Sequence, residues 1–179
     1  TTGQWAATGP MAGGRFEHTA TLLPDSRVLV AGGQGPGAQG TAEIYDPPTG
    51  AWTSTGDLTS ARHDHTATLL TTGNVLIAGG WESLQSMLAS AATEVFDPVT
   101  GAWTASGDMS SRRWNAPLTT LPGGRVLVAG GSESTSTPGV LDLAELYDPV
   151  AGSWLPAASM ASKHTGHSAT SLQDGRVLI

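Results

Sequence analysis

Repetition constrains this chain more than any other feature. His18-Thr19-Ala20-Thr21-Leu22-Leu23 returns as His65-Thr66-Ala67-Thr68-Leu69-Leu70. Val28-Leu29-Val30-Ala31-Gly32-Gly33 returns as Val75-Leu76-Ile77-Ala78-Gly79-Gly80 and as Val126-Leu127-Val128-Ala129-Gly130-Gly131. Glu43-Ile44-Tyr45-Asp46-Pro47 returns with Phe96 and with Tyr147 in the place of Tyr45. Trp5, Trp52, Trp103 and Trp154 follow at steps of 47, 51 and 51 residues. A period of roughly 40 to 50 residues built from short strands is the signature of propeller blades.

Each unit reads as four strands. The Thr-Ala-Thr-Leu segment alternates, as a half-buried strand does. The Val-Leu-Val-Ala segment is apolar throughout, which fits a strand buried on both faces between neighbouring blades. The third strand carries Tyr or Phe and the fourth carries Trp. Pro24-Asp25-Ser26, Thr71-Thr72-Gly73, Leu121-Pro122-Gly123-Gly124 and Gln173-Asp174-Gly175 are turn formers between strands one and two. Asp46-Pro47-Pro48-Thr49-Gly50 and its copies join strands three and four, with Gly supplying the positive φ. Leu84 to Ala92 is the one stretch with helical character, enough for one or two turns at most.

The double glycines Gly32-Gly33, Gly79-Gly80 and Gly130-Gly131 stand before the pairs Tyr45/Trp52, Phe96/Trp103 and Tyr147/Trp154, each spaced by seven. This pattern resembles the kelch repeat and covers nearly the whole chain. The resemblance implies an all-β fold of kelch-type propeller blades, four antiparallel strands each, with about three and a half blades here. Kelch propellers usually have six or seven blades and mostly serve as protein-binding scaffolds. The galactose-oxidase group is their best-known enzymatic branch.

The units divide the chain into 1–11 (a fourth strand closing a blade), blades at 12–58, 59–109 and 110–160, and 161–179 as the first two strands of another. This arithmetic predicts a piece of a longer propeller, or a protomer whose ring a second copy completes.

Alignment on the repeat sorts the polar residues. His18, His65, Ala116 and His167 share one position, and three histidines in equivalent places read as structural, each bonding to backbone beside a neighbouring blade. Arg15, Arg62 and Arg113 recur three residues earlier, and Glu43, Glu94 and Glu145 recur in strand three. They suggest a charge-assisted network. His63-Asp64-His65 has the look of a metal tripod, but strand alternation puts Asp64 on the opposite face from the two histidines. No metal or cofactor is expected.

The loops between strands two and three vary most: Gln34 to Ala42, Trp81 to Thr93 and Ser132 to Ala144. Scaffold function concentrates in variable loops. Trp81 and Trp114 break the repeat at that end. With Arg113 they are the residue types favoured at interface hot spots. Glu82, Glu133 and Asp142 decorate the same end and would attract a basic partner. These six are the expected binding residues for a protein or glycan.

The composition excludes several other functions. The net charge is −7 with eight basic residues, which argues against nucleic acid and anionic membrane surfaces. No apolar run approaches the ~20 residues of a membrane-spanning helix. Charged residues are 13%, about half the usual ~25%. Such a Ser-, Thr- and Gly-rich surface suits a secreted or cell-surface setting. The chain has no cysteine, whereas galactose-oxidase chemistry uses copper with a tyrosine cross-linked to cysteine. No P-loop, Gly-x-Ser-x-Gly or His-Glu-x-x-His motif occurs. The expectation is therefore a non-catalytic binding module. The alternatives are part of a galactose-oxidase-like propeller whose active site lies outside this chain, or a structural unit that self-assembles into a ring.

Overall fold

The computed structural model describes residues 3–37, 39–82, 88–135 and 139–179. Three four-stranded antiparallel sheets follow one another along the chain. The first is β1 (Thr19–Leu22), β2 (Val28–Ala31), β3 (Ala42–Asp46) and β4 (Ala51–Ser54). The second is β5 (Thr66–Leu69), β6 (Val75–Ala78), β7 (Thr93–Asp97) and β8 (Ala102–Ala105). The third is β9 (Leu118–Thr120), β10 (Val126–Ala129), β11 (Ala144–Asp148) and β12 (Ser153–Ala157). A two-stranded sheet, β13 (Thr170–Ser171) and β14 (Val177–Leu178), comes last. Each sheet is a simple up-and-down meander, as in a propeller blade. The described residues contain no helix, and positions 84–87 of the expected helical stretch lie outside them.

The repeated turns set the register. In the turn between strands three and four, Gly50, Gly101 and Gly152 take φ of 68°, 72° and 62°. Each donates its N–H to the carbonyl of Asp46, Asp97 or Asp148 at 2.8 to 2.9 Å. That turn places Tyr45 opposite Trp52, Phe96 opposite Trp103 and Tyr147 opposite Trp154. The rings meet at centroid distances of 5.0, 4.9 and 5.2 Å, a favourable range for tilted aromatic pairs. The spacing of seven is thus a cross-strand contact around a tight turn.

The core lies between blades. Leu29, Ala31, Ala42 and Ile44 of the first blade pack with Val75, Ile77, Phe96 and Trp103 of the second. Leu70 and Leu76 of the second pack with Val126 and Tyr147 of the third. Each fully buried Val, Leu, Ile or Phe contributes about 1.5–3 kcal/mol. The apolar second strands are what these interfaces are made of.

Polar ties join the same interfaces. Tyr147 Oη bonds Ser106 Oγ at 2.7 Å across the second-to-third boundary, and Tyr45 Oη bonds Thr8 Oγ1 at 2.6 Å. Trp52 Nε1 donates to the Gly9 carbonyl at 2.8 Å. Residues 3–11 run against the first blade in this way but form no strand, and Trp5 is fully exposed. The fourth strand expected at 1–11 is not formed by residues 3–11, which instead touch the first blade through Thr8 and Gly9.

Each blade carries one buried ion pair, Arg15–Glu43, Arg62–Glu94 and Arg113–Glu145. The arginine sits in the linker that enters the blade and the glutamate in its third strand. Arg62 Nη1 also donates to the Gly79 and Ala92 carbonyls at 3.0 and 3.1 Å. Arg113 does the same for Gly130 and Leu143. Glu94 and Glu145 accept from linker N–H groups of Thr59 and Ser110 at 2.6 and 2.7 Å. The network therefore ties linker to blade rather than blade to blade.

Candidate functional site

The double glycine ends strand two and fixes how consecutive blades meet. Gly33, Gly80 and Gly131 donate their N–H groups to the carbonyls of Arg62, Arg113 and His164, one blade onward, at 2.8, 3.0 and 2.8 Å. A Cβ on Gly32 would stand 2.6 Å from the Arg62 carbonyl oxygen and 2.8 Å from His65 Cε1. Only glycine allows that approach, and it also holds φ of 61° there.

Immediately before each first strand, three consecutive positions build the loop end of the axis. The first is Phe16, His63 and Trp114. These pair as isolated bridges with Gln34, Trp81 and Ser132. The second is Glu17, Asp64, Asn115 and Gly166, with φ of 54°, 52°, 56° and 66°. A left-handed backbone in three non-glycine residues is uncommon. Asp64 N–H donates to the Glu17 carbonyl, and Gly166 N–H to the Asn115 carbonyl, both at 3.1 Å. The third position is His18, His65, Ala116 and His167. Residues from the second and third positions of successive units line one pocket of about 270 Å³, among them Glu17, Asp64, Asn115, His65 and His167. Strands β1, β5, β9 and β13 adjoin in sequence around it.

His65 differs from expectation in its partner. His65 Nε2 bonds the Thr19 hydroxyl of the preceding blade at 2.9 Å, a side chain rather than backbone. Burial, with Arg62 nearby, pushes the His65 pKa down to about 3, so the ring is neutral. The alternation argument about Asp64 also fails. Residue 64 precedes strand β5, and its positive φ breaks the two-residue period. Asp64 Oδ2 therefore lies 3.7 Å from His63 Nδ1. Burial and the neighbouring Glu17 carboxylate raise the Asp64 pKa.

The six expected binding residues fall into different places. Arg113 is 1% exposed and held by Glu145, so its role is structural and it offers nothing to a partner. Trp81 is 5% exposed and packs on Trp114, with ring centroids 5.5 Å apart. Half-buried Trp114 instead lines an open groove with Asn115, Ser132, Thr135 and Thr165. Glu82 is exposed and accepts from the Ser90 hydroxyl at 2.5 Å. Half-buried Glu133 sits at the same end, where its N–H donates to Gly139 and its carbonyl accepts from Ala89. Half-buried Asp142 takes the Met160 N–H on its carbonyl at 2.8 Å. Neither Glu82, Glu133 nor Asp142 lines the groove or the axial pocket. Glu17 and Asn115 carried no sequence signal of their own. Only their shared repeat position could have singled them out.

No protein-family model matches the chain, and no curated protein matches it. Among solved structures it is similar to a fungal alcohol oxidase with catalytic diversity among the AA5 family, in complex with copper. The TM-score is 0.64, over 95% of this chain and 49% of that one, at 15% identity. The likeness is one of fold, and this chain spans about half the length of that enzyme. It supports the propeller reading of the four-stranded sheets.

It also overturns the expectation that the chain is not an enzyme, because the matching fold belongs to an alcohol oxidase. A copper centre built on a cysteine-linked tyrosine nevertheless does not fit the residues present. The chain has no cysteine. Its two tyrosines, Tyr45 and Tyr147, spend their hydroxyls on Thr8 and Ser106.

Proposed function

We propose that this chain is part of a kelch-type propeller that takes a glycan at the loop end, in the groove beside Trp114. The groove itself carries the reading. An indole stands beside Asn115, Ser132, Thr135 and Thr165, which pair an apolar platform with amide and hydroxyl groups. Sugars present an apolar ring face and a rim of hydroxyls, and aromatic side chains with a few placed polar groups suit both. Trp81 packs against the Trp114 ring, with centroids 5.5 Å apart.

The test is a glycan array with the full-length protein, followed by titration of the best ligand against Trp114→Ala. Loss of a central aromatic anchor costs 2 kcal/mol or more, roughly 30-fold in Kd. An array without hits, or a variant that binds as well as the parent, would refute this assignment.

A second reading is favoured by the fold likeness. Here the chain belongs to an alcohol or carbohydrate oxidase whose redox centre is completed by residues outside these 179. Copper-supplemented full-length protein, assayed for hydrogen peroxide with galactose and simple primary alcohols, separates the two.

A further inference from the structure

The geometry points to a divalent transition-metal site formed by Glu17, His63 and Asp64, at the loop end of the axis between the first two blades. One side-chain donor from each residue lies within 4.8 Å of the other two. His63 Nδ1 stands 3.1 Å from Glu17 Oε2 and 3.7 Å from Asp64 Oδ2. Donors held about 2.1 Å from one cation are about 3.0 Å apart along an octahedral edge and about 3.4 Å apart along a tetrahedral one. Both separations are within a few tenths of an ångström of those values, and the third edge, between the Glu17 and Asp64 carboxylates, is at most 4.8 Å and closes by rotation of the exposed Glu17 side chain.

His63 makes this more than a pair of carboxylates. It is 7% exposed and aims Nδ1 into the cluster, while its Nε2 has no hydrogen-bond partner. Its backbone is fixed by reciprocal bonds with Trp81 at 2.9 and 2.8 Å. When Nε2 carries the proton, Nδ1 turns a lone pair toward two carboxylates. A cation between the three satisfies all of them at once. The only ion pairs of Glu17 and Asp64 among the described residues are with His63. The adjacent Arg62 is committed to Glu94.

The repeat supplies an internal comparison. At the position of His63 the other units carry Phe16, Trp114 and Thr165, so the fold does not ask for an imidazole there. At the position of Glu17 and Asp64 the later units carry Asn115 and Gly166 with the same backbone. The fold therefore requires neither the imidazole nor the two facing carboxylates, and all three occur together at a single blade junction. One imidazole with two carboxylates suits a first-row dication such as Zn²⁺ or Mn²⁺. Glu17 and Asp64 also line the axial pocket, so open coordination positions face it.

The experiment uses the untagged full-length protein, stripped with a chelator. Zn²⁺, Mn²⁺ and Cu²⁺ are titrated separately by calorimetry, and bound metal is counted by elemental analysis. The variants are His63→Phe, Glu17→Gln and Asp64→Asn. Phe and Asn are residues this fold already carries at Phe16 and Asn115. Unchanged melting of the metal-free variants establishes that they fold. The expected result is one equivalent of at least one ion per chain, bound at least ~10-fold more weakly by every variant. That ion raises the melting temperature of the parent and not of His63→Phe. Binding of none of the three ions, or equal binding by parent and variants, overturns the assignment. Glycan binding is a separate readout, and its outcome does not bear on this one.

Discussion

Replacing Arg62 with Ala removes the cation of a buried pair and leaves the anion behind. Arg62 and Glu94 have side-chain exposures of 0% and 1% and meet at 2.8 Å. After the change, Glu94 keeps N–H donors from Thr59 and Ser60 but has no countercharge. The Ala92 carbonyl still accepts from Gly79 N–H, whereas the Gly79 carbonyl loses its donor. Breaking a buried pair on one side costs about 3–5 kcal/mol, and an orphaned buried carbonyl belongs to the same loss. For a unit of this size each kcal/mol lowers Tm by about 2–4 °C, so the expected fall is about 10 °C. The assays are thermal melting, which reads the Tm, and urea unfolding at pH 7, which reads the free energy, both of the full-length protein and both followed by tryptophan fluorescence. Arg62→Met with Glu94→Leu is the decisive companion. Two apolar side chains remove both charges, and most of the lost stability returns because the uncompensated charge is what dominates. The fully exposed pair Arg176–Asp174 is the control, and Arg176→Ala leaves the midpoint unmoved. A loss under about 1 kcal/mol in Arg62→Ala, or a double variant no more stable than the single one, refutes this account.

The double glycine and the axial histidine give two further predictions. Gly32→Ala and Gly101→Ala impose the same left-handed strain, at φ of 61° and 72°. Only Gly32 has atoms within contact of a new Cβ, whereas Gly101 has none within 4 Å. Gly101→Ala is expected to cost about 1 kcal/mol and Gly32→Ala at least about 2 kcal/mol more, read from urea midpoints. Equal losses would show that the blades part to admit a methyl group. His65 has a folded pKa depressed to about 3 from 6.5. Between those values the unfolded chain binds a proton that the folded chain does not, so stability is complete above about pH 6.5 and falls as pH drops toward 3. In chelated samples His65→Ala, which copies Ala116, should flatten the decline between pH 7 and pH 5. An unaltered pH slope would assign the decline to other groups.

The repeat made the blades legible without coordinates. A strand of four residues is a weak local signal. Three aligned copies, each punctuated by Asp-Pro-x-x-Gly and Gly-Gly, make the strands and their order plain. The ring pairing of Tyr45 with Trp52 follows from the turn between them, as do its two copies. The candidate site was less legible. Arg113 reads as an interface residue by type and position, yet the blade entry linker buries it against Glu145. Trp81 and Trp114 are 33 residues apart in the chain and meet in a tilted contact because consecutive units bring their loop ends together.

Sequence by itself therefore determined the strand order, the turn chemistry and the apolar faces that join blades. All of these are written within a single repeat unit and read by aligning its copies. Tertiary structure alone decided which polar groups meet at the axis. Glu17 and His63 lie 46 residues apart and come within 3.1 Å only because two blades pack side by side. Asp64 joins them because a left-handed backbone at that one residue cancels the strand alternation by which a sequence reading places side chains.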